Sequence, residues 1–325
     1  MENIKQNFKK NCFHSDAIRT KAIEWFECRF EKTAAFVDIA EGRPDTKKYH
    51  VVTVHDKEYF VKAIPRINSG ISLKLCTMLQ AMRNQCIRIP RLYGFEHLAQ
   101  YDITILVYEY INGTKVSALL NQADLETSQF LGAKAGVLLR QIHAFRNAEY
   151  PAILKNGYQR ASGFNRYLNY LHITYPYKKE MDNYIRSERH FINSNSEIAL
   201  THQDYRPDNL ILRDSDNEIW AIDFESVEFN DPCSDFSYII SMAPPAHFEF
   251  SKAVIKSYLE AKETEYLSDF WRKTCFYSIV SLRKYAINKY LHTGRGVVMQ
   301  ANHLYELYEG FTRYCPHCFV SLGVD

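Results

Sequence analysis

Between Thr201 and Phe224, polar clusters and short apolar runs alternate in an order that leaves the chain few choices. Leu210-Ile211-Leu212 and Ile219-Trp220-Ala221-Ile222 are strand-like, and Asp214-Ser215-Asp216-Asn217 between them is a turn cluster, so the segment reads as a β-hairpin. The hairpin fixes what lies at its ends. The run Thr201-His202-Gln203-Asp204-Tyr205-Arg206-Pro207-Asp208-Asn209 enters the first strand, and Asp223 leaves the second, fourteen residues after Asn209. A carboxylate, an amide and a second carboxylate are thereby expected at one end of one hairpin.

Those groups suit one kind of chemistry. Transfer of a γ-phosphoryl group passes through a loose transition state with charge spread over its oxygens, so the protein mainly positions the reactants and supplies Mg²⁺. In the pattern H-x-D-x-x-x-x-N, the Asp can accept the proton of an attacking hydroxyl while the Asn reaches a metal ion from the same loop. Asp204 and Asn209 fit those places, and Asp223 is placed to bridge the metal from the neighbouring strand. Taken singly, each residue has a plainer explanation, an Asp as a turn or cap residue and a His as a satisfied core group. The ordered set of His202, Asp204, Asn209 and Asp223, with strands in the right places, carries the expectation of a kinase.

From His202 to Asn209, and again at Asp223, the chain resembles the catalytic segment of the aminoglycoside phosphotransferase and choline kinase superfamily, relatives of protein kinases. The resemblance extends outward. Upstream, Leu138-Leu139-Arg140-Gln141-Ile142-His143 is similar to that family's helix ending in Leu-His, and downstream Asp231-Pro232-Cys233-Ser234-Asp235-Phe236 is similar to its D-P-x-x-D-hydrophobic segment. It implies that His202 and Asp235 support the catalytic loop, with Asp235 bracing it rather than touching substrate. It also implies an α+β, two-lobed protein-kinase-like fold, a small antiparallel β lobe (residues 1–107) followed by a larger, mainly helical lobe (residues 108–325). The recognisable pieces run from about Phe36 to about Tyr238, and the remainder matches only as generic helices.

The amino-terminal lobe should hold ATP. Phe36 to Ala40, Tyr49 to Val54 and Lys57 to Ile64 are β-rich, and Lys62 interrupts the apolar third run, which costs free energy unless its ammonium reaches an anion such as an ATP phosphate. The other reading is that Lys62 reaches solvent from an edge strand. Ala40 to Lys47 occupies the place of the family's phosphate-covering loop. It holds only Gly42, so backbone amides would have to approach the phosphates, and a plain hairpin turn reads as well. After the apolar strand Ile103 to Val107, the linker Tyr108-Glu109-Tyr110-Ile111-Asn112-Gly113 turns polar, and the resemblance suggests that adenine pairs with the backbone of Tyr108 and Tyr110.

The chain departs from the kinase pattern in one respect. Kinases usually hold the ATP lysine with a Glu from the following helix, yet from Tyr59 to Phe95 there is no Asp or Glu, and the expected helix Ile71 to Arg83 offers only Gln80. The same stretch carries Lys62, Arg66, Lys74, Arg83, Arg88 and Arg91. Lys62 is then oriented by the nucleotide alone or by an acid from elsewhere; alternatively the chain is a nucleotide-binding regulator without turnover. A protein kinase, the other alternative, is disfavoured because Gln203 stands where an Arg would read a phosphorylated activation loop, Glu225 replaces the Gly of D-F-G, and no A-P-E follows. Glu225 could hold a cationic acceptor at the cleft mouth, or be a surface charge.

Size and charge agree. A chain of 325 residues fits two lobes around a cleft, 46% hydrophobic residues supply an ample core, and a net charge of +2 gives no argument for nucleic acid or membrane binding. No stretch approaches the roughly 20 apolar residues of a membrane span, and the chain reads as cytosolic. Eight scattered cysteines suggest reduced thiols, and Cys315-Pro316-His317-Cys318 is at most half a zinc site. Helical spacing is expected near Ile18, Ala22, Trp25 and Phe26 and over Thr127–Phe145, Phe164–Phe191, Phe248–Lys262, Leu267–Leu291 and Met299–Thr312. Between Arg160 and Arg189, Tyr167, Tyr170, His172, Tyr175, Tyr177 and Tyr184 could cage an amine or simply pack helices. The combined expectation is an ATP- and Mg²⁺-dependent transferase acting on a hydroxyl of a small, amine-bearing molecule. Asp204 would be its base, Asn209 and Asp223 its metal ligands, and Lys62, Gly42, Tyr108 and Tyr110 its nucleotide contacts.

Overall fold

Alternating burial along three strands sets the first of two compact units, Met1–Asn112 and Gly113–Asp325. The computed structural model describes residues 15–40, 46–65, 69–99, 102–146, 174–195, 197–241, 243–260, 264–289 and 295–322. In the first unit, helix α1 (Ser15–Arg29) precedes strands β1 (Thr33–Asp38), β2 (Lys47–Thr53) and β3 (Glu58–Pro65), helix α2 (Ser69–Asn84), and strands β4 (Leu92–Leu98) and β5 (Ile103–Glu109). The sheet order is β1-β2-β3-β5-β4, antiparallel throughout. Tyr49, Val51, Val61, Ala63, Ile105 and Val107 point to one face, where they form a core with Ala22 and Phe26 of α1 and Phe36 of β1. A period of two follows from the pleat, so the residues between them face the other way.

That register decides the environment of Lys62. β3 lies between β2 and β5, with Lys62 opposite Lys48 on one side and Leu106 on the other, so an edge-strand position is ruled out. Lys62 is only 7% exposed. Strand β4, not anticipated from the sequence, closes the sheet beyond β5. Helix α2 turns Leu75, Met78, Leu79 and Met82 inward. Gln80 is exposed and donates to Asn84 at 2.9 Å on the same helix. The helix is tied instead at its end, where Arg83 donates to the Ile89 carbonyl at 3.0 Å and meets Glu109 at 3.3 Å. Residues 41–45, and Gly42 with them, lie outside the described residues.

The second unit is built on helices with two small sheets inserted. Strand β6 (Gly113–Lys115) is followed by α3 (Val116–Leu120), α4 (Leu125–Ala144), α5 (Lys178–Asn195), β7 (Ala199–Thr201), β8 (Leu210–Arg213), β9 (Glu218–Ala221) and β10 (Glu228–Asn230). Helices α6 (Phe236–Ser241), α7 (Phe248–Leu259), α8 (Thr264–Lys289) and α9 (Arg295–Leu307) complete it. β6-β8-β9 and β7-β10 are the two sheets, and β8 pairs with β9 from Leu210↔Ala221 to Arg213↔Glu218 around the expected turn. Asp124 caps α4 by accepting from the Thr127 amide at 2.8 Å. Among the tyrosines of the expected aromatic stretch, Tyr184 packs on Phe311, Tyr177 stacks on Tyr305, and Tyr175 accepts from Arg283. These three have partners within the unit, and Tyr167, Tyr170 and His172 lie outside the described residues. The cysteines among the described residues are free, Cys315 and Cys318 included. No helix among the described residues is long and apolar enough to cross a membrane.

Two glycines let α4 approach α7 closely. A Cβ at Gly132 would collide with the Phe250 carbonyl and the Ala253 side chain, and one at Gly136 with the Val254 carbonyl and Ser257. Alanine is the better helix former by ~1 kcal/mol, but overpacking against backbone costs about 1–3 kcal/mol. Gly132→Ala is therefore expected to lower the unfolding free energy by about 1–2 kcal/mol in urea titrations; unchanged or increased stability would show that the two helices can part without penalty.

Candidate active site

The loop after β7 begins with His202 and Gln203, and the second of these has a backbone that its neighbours must hold in place. Gln203 is left-handed, φ 64°, a conformation uncommon for a residue with a Cβ and sustained only when its surroundings impose it. Three bonds impose it: the Gln203 amide donates to Asp235 Oδ1 at 2.6 Å, and its side-chain Nε2 donates to Thr201 Oγ1 at 2.8 Å and Ser234 Oγ at 2.9 Å. The other Asp235 oxygen, Oδ2, accepts from the His202 amide at 2.7 Å and meets His143 Nε2 at 2.9 Å. Asp235 is 3% exposed and sits on a 3-10 turn, Pro232–Asp235, capped by Asp231, which accepts from the Cys233 amide at 3.0 Å. Asp231 in turn lies 3.5 Å from buried Lys273.

His202 carries the order of the loop across to the hairpin. Its Nε2 bonds the Ile222 carbonyl at 2.9 Å, and its Nδ1 accepts from the Asp204 amide at 3.3 Å. A carbonyl on one nitrogen and an N–H on the other suit the Nε2–H tautomer alone. The Ile222 amide donates to the Asn209 carbonyl at 2.9 Å, extending the β8–β9 ladder by one rung. Both backbone polar groups of Ile222, the residue before Asp223, are thus held, and Asp223 follows in a left-handed conformation, φ 73°. Glu225 lies on the 3-10 turn Phe224–Ser226 that comes next. Tyr205 anchors the loop from below, its hydroxyl donating to the Ala135 carbonyl of α4 at 2.6 Å.

Asp204, Asn209 and Asp223 are brought together. Asn209 donates through Nδ2 to both the Asp204 carbonyl and Asp204 Oδ2 at 2.9 Å, so its amide oxygen is not the atom bound to the loop. The Asp204 side chain keeps 42% of its surface, enough for a second molecule to reach it. Its carboxyl titrates above the usual aspartate range. Burial of the group is the main cause and the charge of Asp223 adds to it, while Arg206, Asn209 and His202 pull the other way. Oxygen donors from one amide and one carboxylate suit a hard cation that keeps part of its shell for phosphate or water. Among the described residues no group of three or more His, Cys, Asp or Glu could hold a metal by itself.

Four neighbours escaped the sequence reading. Arg206 lies between the carboxylates, its Nε 3.3 Å from Asp204 Oδ1 and 3.8 Å from Asp208 Oδ2, with its guanidinium over the Tyr238 ring at 5.8 Å. His247, 7% exposed, feels the charge of Asp208, although burial keeps its pKa below the ordinary histidine value. Arg206 and Asp208 stood inside the motif and could have been noticed as charges close to Asp204. Nothing in the spacing of Tyr238 and His247 announced them. On the first unit, Lys62 lies on the sheet face turned away from α1, with the Tyr108 backbone paired to Phe60 within β5 and Tyr110 just beyond the strand.

The family model described as "Phosphotransferase enzyme family" matches residues 38–271. A search of curated proteins returns no match. Among solved structures, an aminoglycoside-3'-phosphotransferase of type VIII superposes with a TM-score of 0.57 at 19% identity, over 81% of this chain and 98% of that one. The choline kinase LicA from Streptococcus pneumoniae gives 0.59 at 15% identity, over 90% and 98%. Amicoumacin kinase hAmiN, in complex with AMP-PNP, Ca2+ and Ami, gives 0.61 at 14% identity, over 88% and 92%. At such identities these likenesses concern the fold, an antiparallel sheet unit with a helical unit. The Asp235 contacts make a prediction of their own: Asp235→Asn leaves one oxygen for three donors, and hydrogen bonds to a charged group are worth about 1.5–3 kcal/mol. The variant should lose about 2–3 kcal/mol of unfolding free energy in guanidinium titrations; a loss under about 0.5 kcal/mol would mean that other contacts hold the loop.

Proposed function

Because the chain belongs to the phosphotransferase enzyme family, whose model spans residues 38–271, we propose that it moves the γ-phosphate of ATP to a hydroxyl of a small, amine-bearing molecule. The observation that carries this reading is the partly exposed Asp204 carboxylate, bonded by Asn209 and joined to Asp223 through the Ile222 peptide. Asp204 takes the proton of the acceptor hydroxyl as the oxygen attacks. Proton transfer of this kind contributes typically 10²–10⁴-fold, roughly, to a rate. Asn209 and Asp223 would hold Mg²⁺, which when bound neutralises charge developing on the phosphate oxygens. Lys62 contacts the nucleotide phosphates and the backbone at Tyr108 and Tyr110 the base. The first unit is the nucleotide-binding lobe and the second the acceptor lobe.

An amine on the acceptor is favoured by the two carboxylates Asp204 and Asp208 in the loop and by Glu225 on the following turn. Adenine-nucleotide use is in keeping with the AMP-PNP held by hAmiN. A cytoplasmic setting, where ATP is abundant and thiols stay reduced, suits this chemistry and the free cysteines. A regulator without turnover has two features in its favour, the lack of any acid on α2 and the turn of Gln80 toward Asn84. The deciding experiment is ADP release with Mg-ATP across aminoglycosides, other hydroxylated antibiotics, amino alcohols, sugars and a generic protein. Stimulation by one small-molecule class identifies the acceptor. Label found on protein side chains would make the chain a protein kinase, and ATP binding without ADP release for any acceptor would favour the regulator.

Two further outcomes follow from the loop geometry. Asp204→Asn should lower turnover by roughly 10²-fold or more with ATP affinity near normal, and a purified variant turning over at the wild-type rate would remove Asp204 from the mechanism. Asp204 acts as a base only when ionised. Its raised pKa means that activity falls on acidification sooner than an ordinary aspartate would require. Arg206 holds that pKa down, so Arg206→Gln should move the acid limb of the kcat/KM profile to higher pH; an unmoved limb would mean that it reports another group.

A further inference from the structure

A lysine stands in the interior of the second unit, one step behind the turn that holds the loop. Lys273 lies on α8 among Phe270, Trp271, Thr274, Cys275 and Phe276, all buried, and is itself 3% exposed. An ammonium there is costly unless it is paired. It meets Asp231, which is fully buried: Nζ lies 3.5 Å from Oδ2, an atom with no hydrogen bond among the described residues. The other oxygen, Oδ1, accepts from the Cys233 amide at 3.0 Å and caps the 3-10 turn Pro232–Asp235. The Asp231 carbonyl accepts from the Ser234 amide at 2.9 Å, and the Asp231 amide donates to Asn230 Oδ1 at 2.8 Å.

The far side of that turn touches the loop at two places. Ser234 Oγ accepts from Gln203 Nε2, and the Asp235 carboxylate accepts from the His202 and Gln203 amides. The contacts therefore run from α8 through one carboxylate and one short turn to the residues just before Asp204. Stability alone gives no reason for the pair, since apolar residues of similar volume often replace a buried ion pair without loss. Direction does. A carboxylate that caps a turn with one oxygen can still rotate about its side-chain bonds, and a cation on the second oxygen fixes that rotation. Resting on the kinase reading above for the role of Asp204, we propose that Lys273 is a positioning residue of the loop. It acts through Asp231 to hold the turn whose Ser234 and Asp235 set the course of the backbone into Asp204.

Amide hydrogen exchange on the full chain, followed by mass spectrometry, tests this in wild type, Lys273→Met, Lys273→Arg and the double variant Asp231→Asn with Lys273→Met. Asn keeps an oxygen for the Cys233 amide, so the double variant removes both charges but not the cap. Lys273→Met should speed exchange of the 202–204 amides roughly tenfold, with α9 and the β2–β3 ladder within about twofold of wild type. Lys273→Arg should restore most of the protection, and the double variant should stay fast. Recovery in the double variant would mean that Lys273 only neutralises a buried charge, and would overturn the assignment. So would unchanged loop exchange in Lys273→Met, or equal acceleration in α9, the mark of a general loss of stability. Exchange needs no turnover and is therefore independent of the kinase reading. With the acceptor that the panel above identifies, kcat in Lys273→Met should fall about tenfold while KM for Mg-ATP stays within about twofold. Selective loosening of the loop at unchanged kcat would remove Asp204 from the reaction and leave the hold of Lys273 on the loop in place.

Discussion

The Asp235 carboxylate is the fixed point of the second unit. It lies in the interior, where a carboxylate is costly without hydrogen-bond partners, and both its oxygens have them: two backbone amides of the loop and one imidazole. Because the two amides belong to consecutive residues, His202 and Gln203, their bonds set the direction in which the chain leaves β7. The left-handed turn at Gln203 follows from that direction, and Asp204 follows from the turn. His143 links the same carboxylate to α4, and its other nitrogen lies 2.9 Å from the Tyr258 hydroxyl of α7. The close helix pair that Gly132 and Gly136 permit is therefore also the support on which the loop is hung.

A second constraint is the backbone of Ile222. Its amide donates to the Asn209 carbonyl and its carbonyl meets His202 Nε2, so the two halves of the motif, on either side of the hairpin, are held by one another's side chain and backbone rather than by a separate scaffold. Losing His202 would release Asp223 as well as the loop, although His202 itself touches neither hydroxyl acceptor nor phosphate in the proposed chemistry.

Much of this was legible in advance. The hairpin from Leu210 to Ala221 was readable because apolar alternation and a cluster of turn residues are local signals, and the β-rich runs around Tyr49 and Lys62 were readable for the same reason. β4 was missed because Tyr93, Gly94, Glu96 and His97 break the apolar pattern, its side chains being only partly covered. The aromatic stretch reads equally as cage or packing in sequence, because the partners of Tyr175, Tyr177 and Tyr184 lie more than a hundred residues further along the chain. Arg206 was overlooked although it sits within the motif, because spacing shows that a charge is present but not which carboxylate it meets.

The sequence by itself determined which groups exist and in what order: a carboxylate, an amide and a second carboxylate separated by a hairpin, and a lysine within an apolar strand. Those are matters of local pattern, where neighbours in the chain supply the free energy. Tertiary structure decided everything that depends on two strands or two helices meeting. It made β3 a central strand, so that Lys62 is buried rather than at an edge, and it paired Lys48 with Lys62. It also shifted the titration of Asp204 by bringing burial, Arg206 and Asp223 to bear together. Register and burial are properties of pairs, fixed by which faces can exclude water together, and a single strand carries no record of its partner.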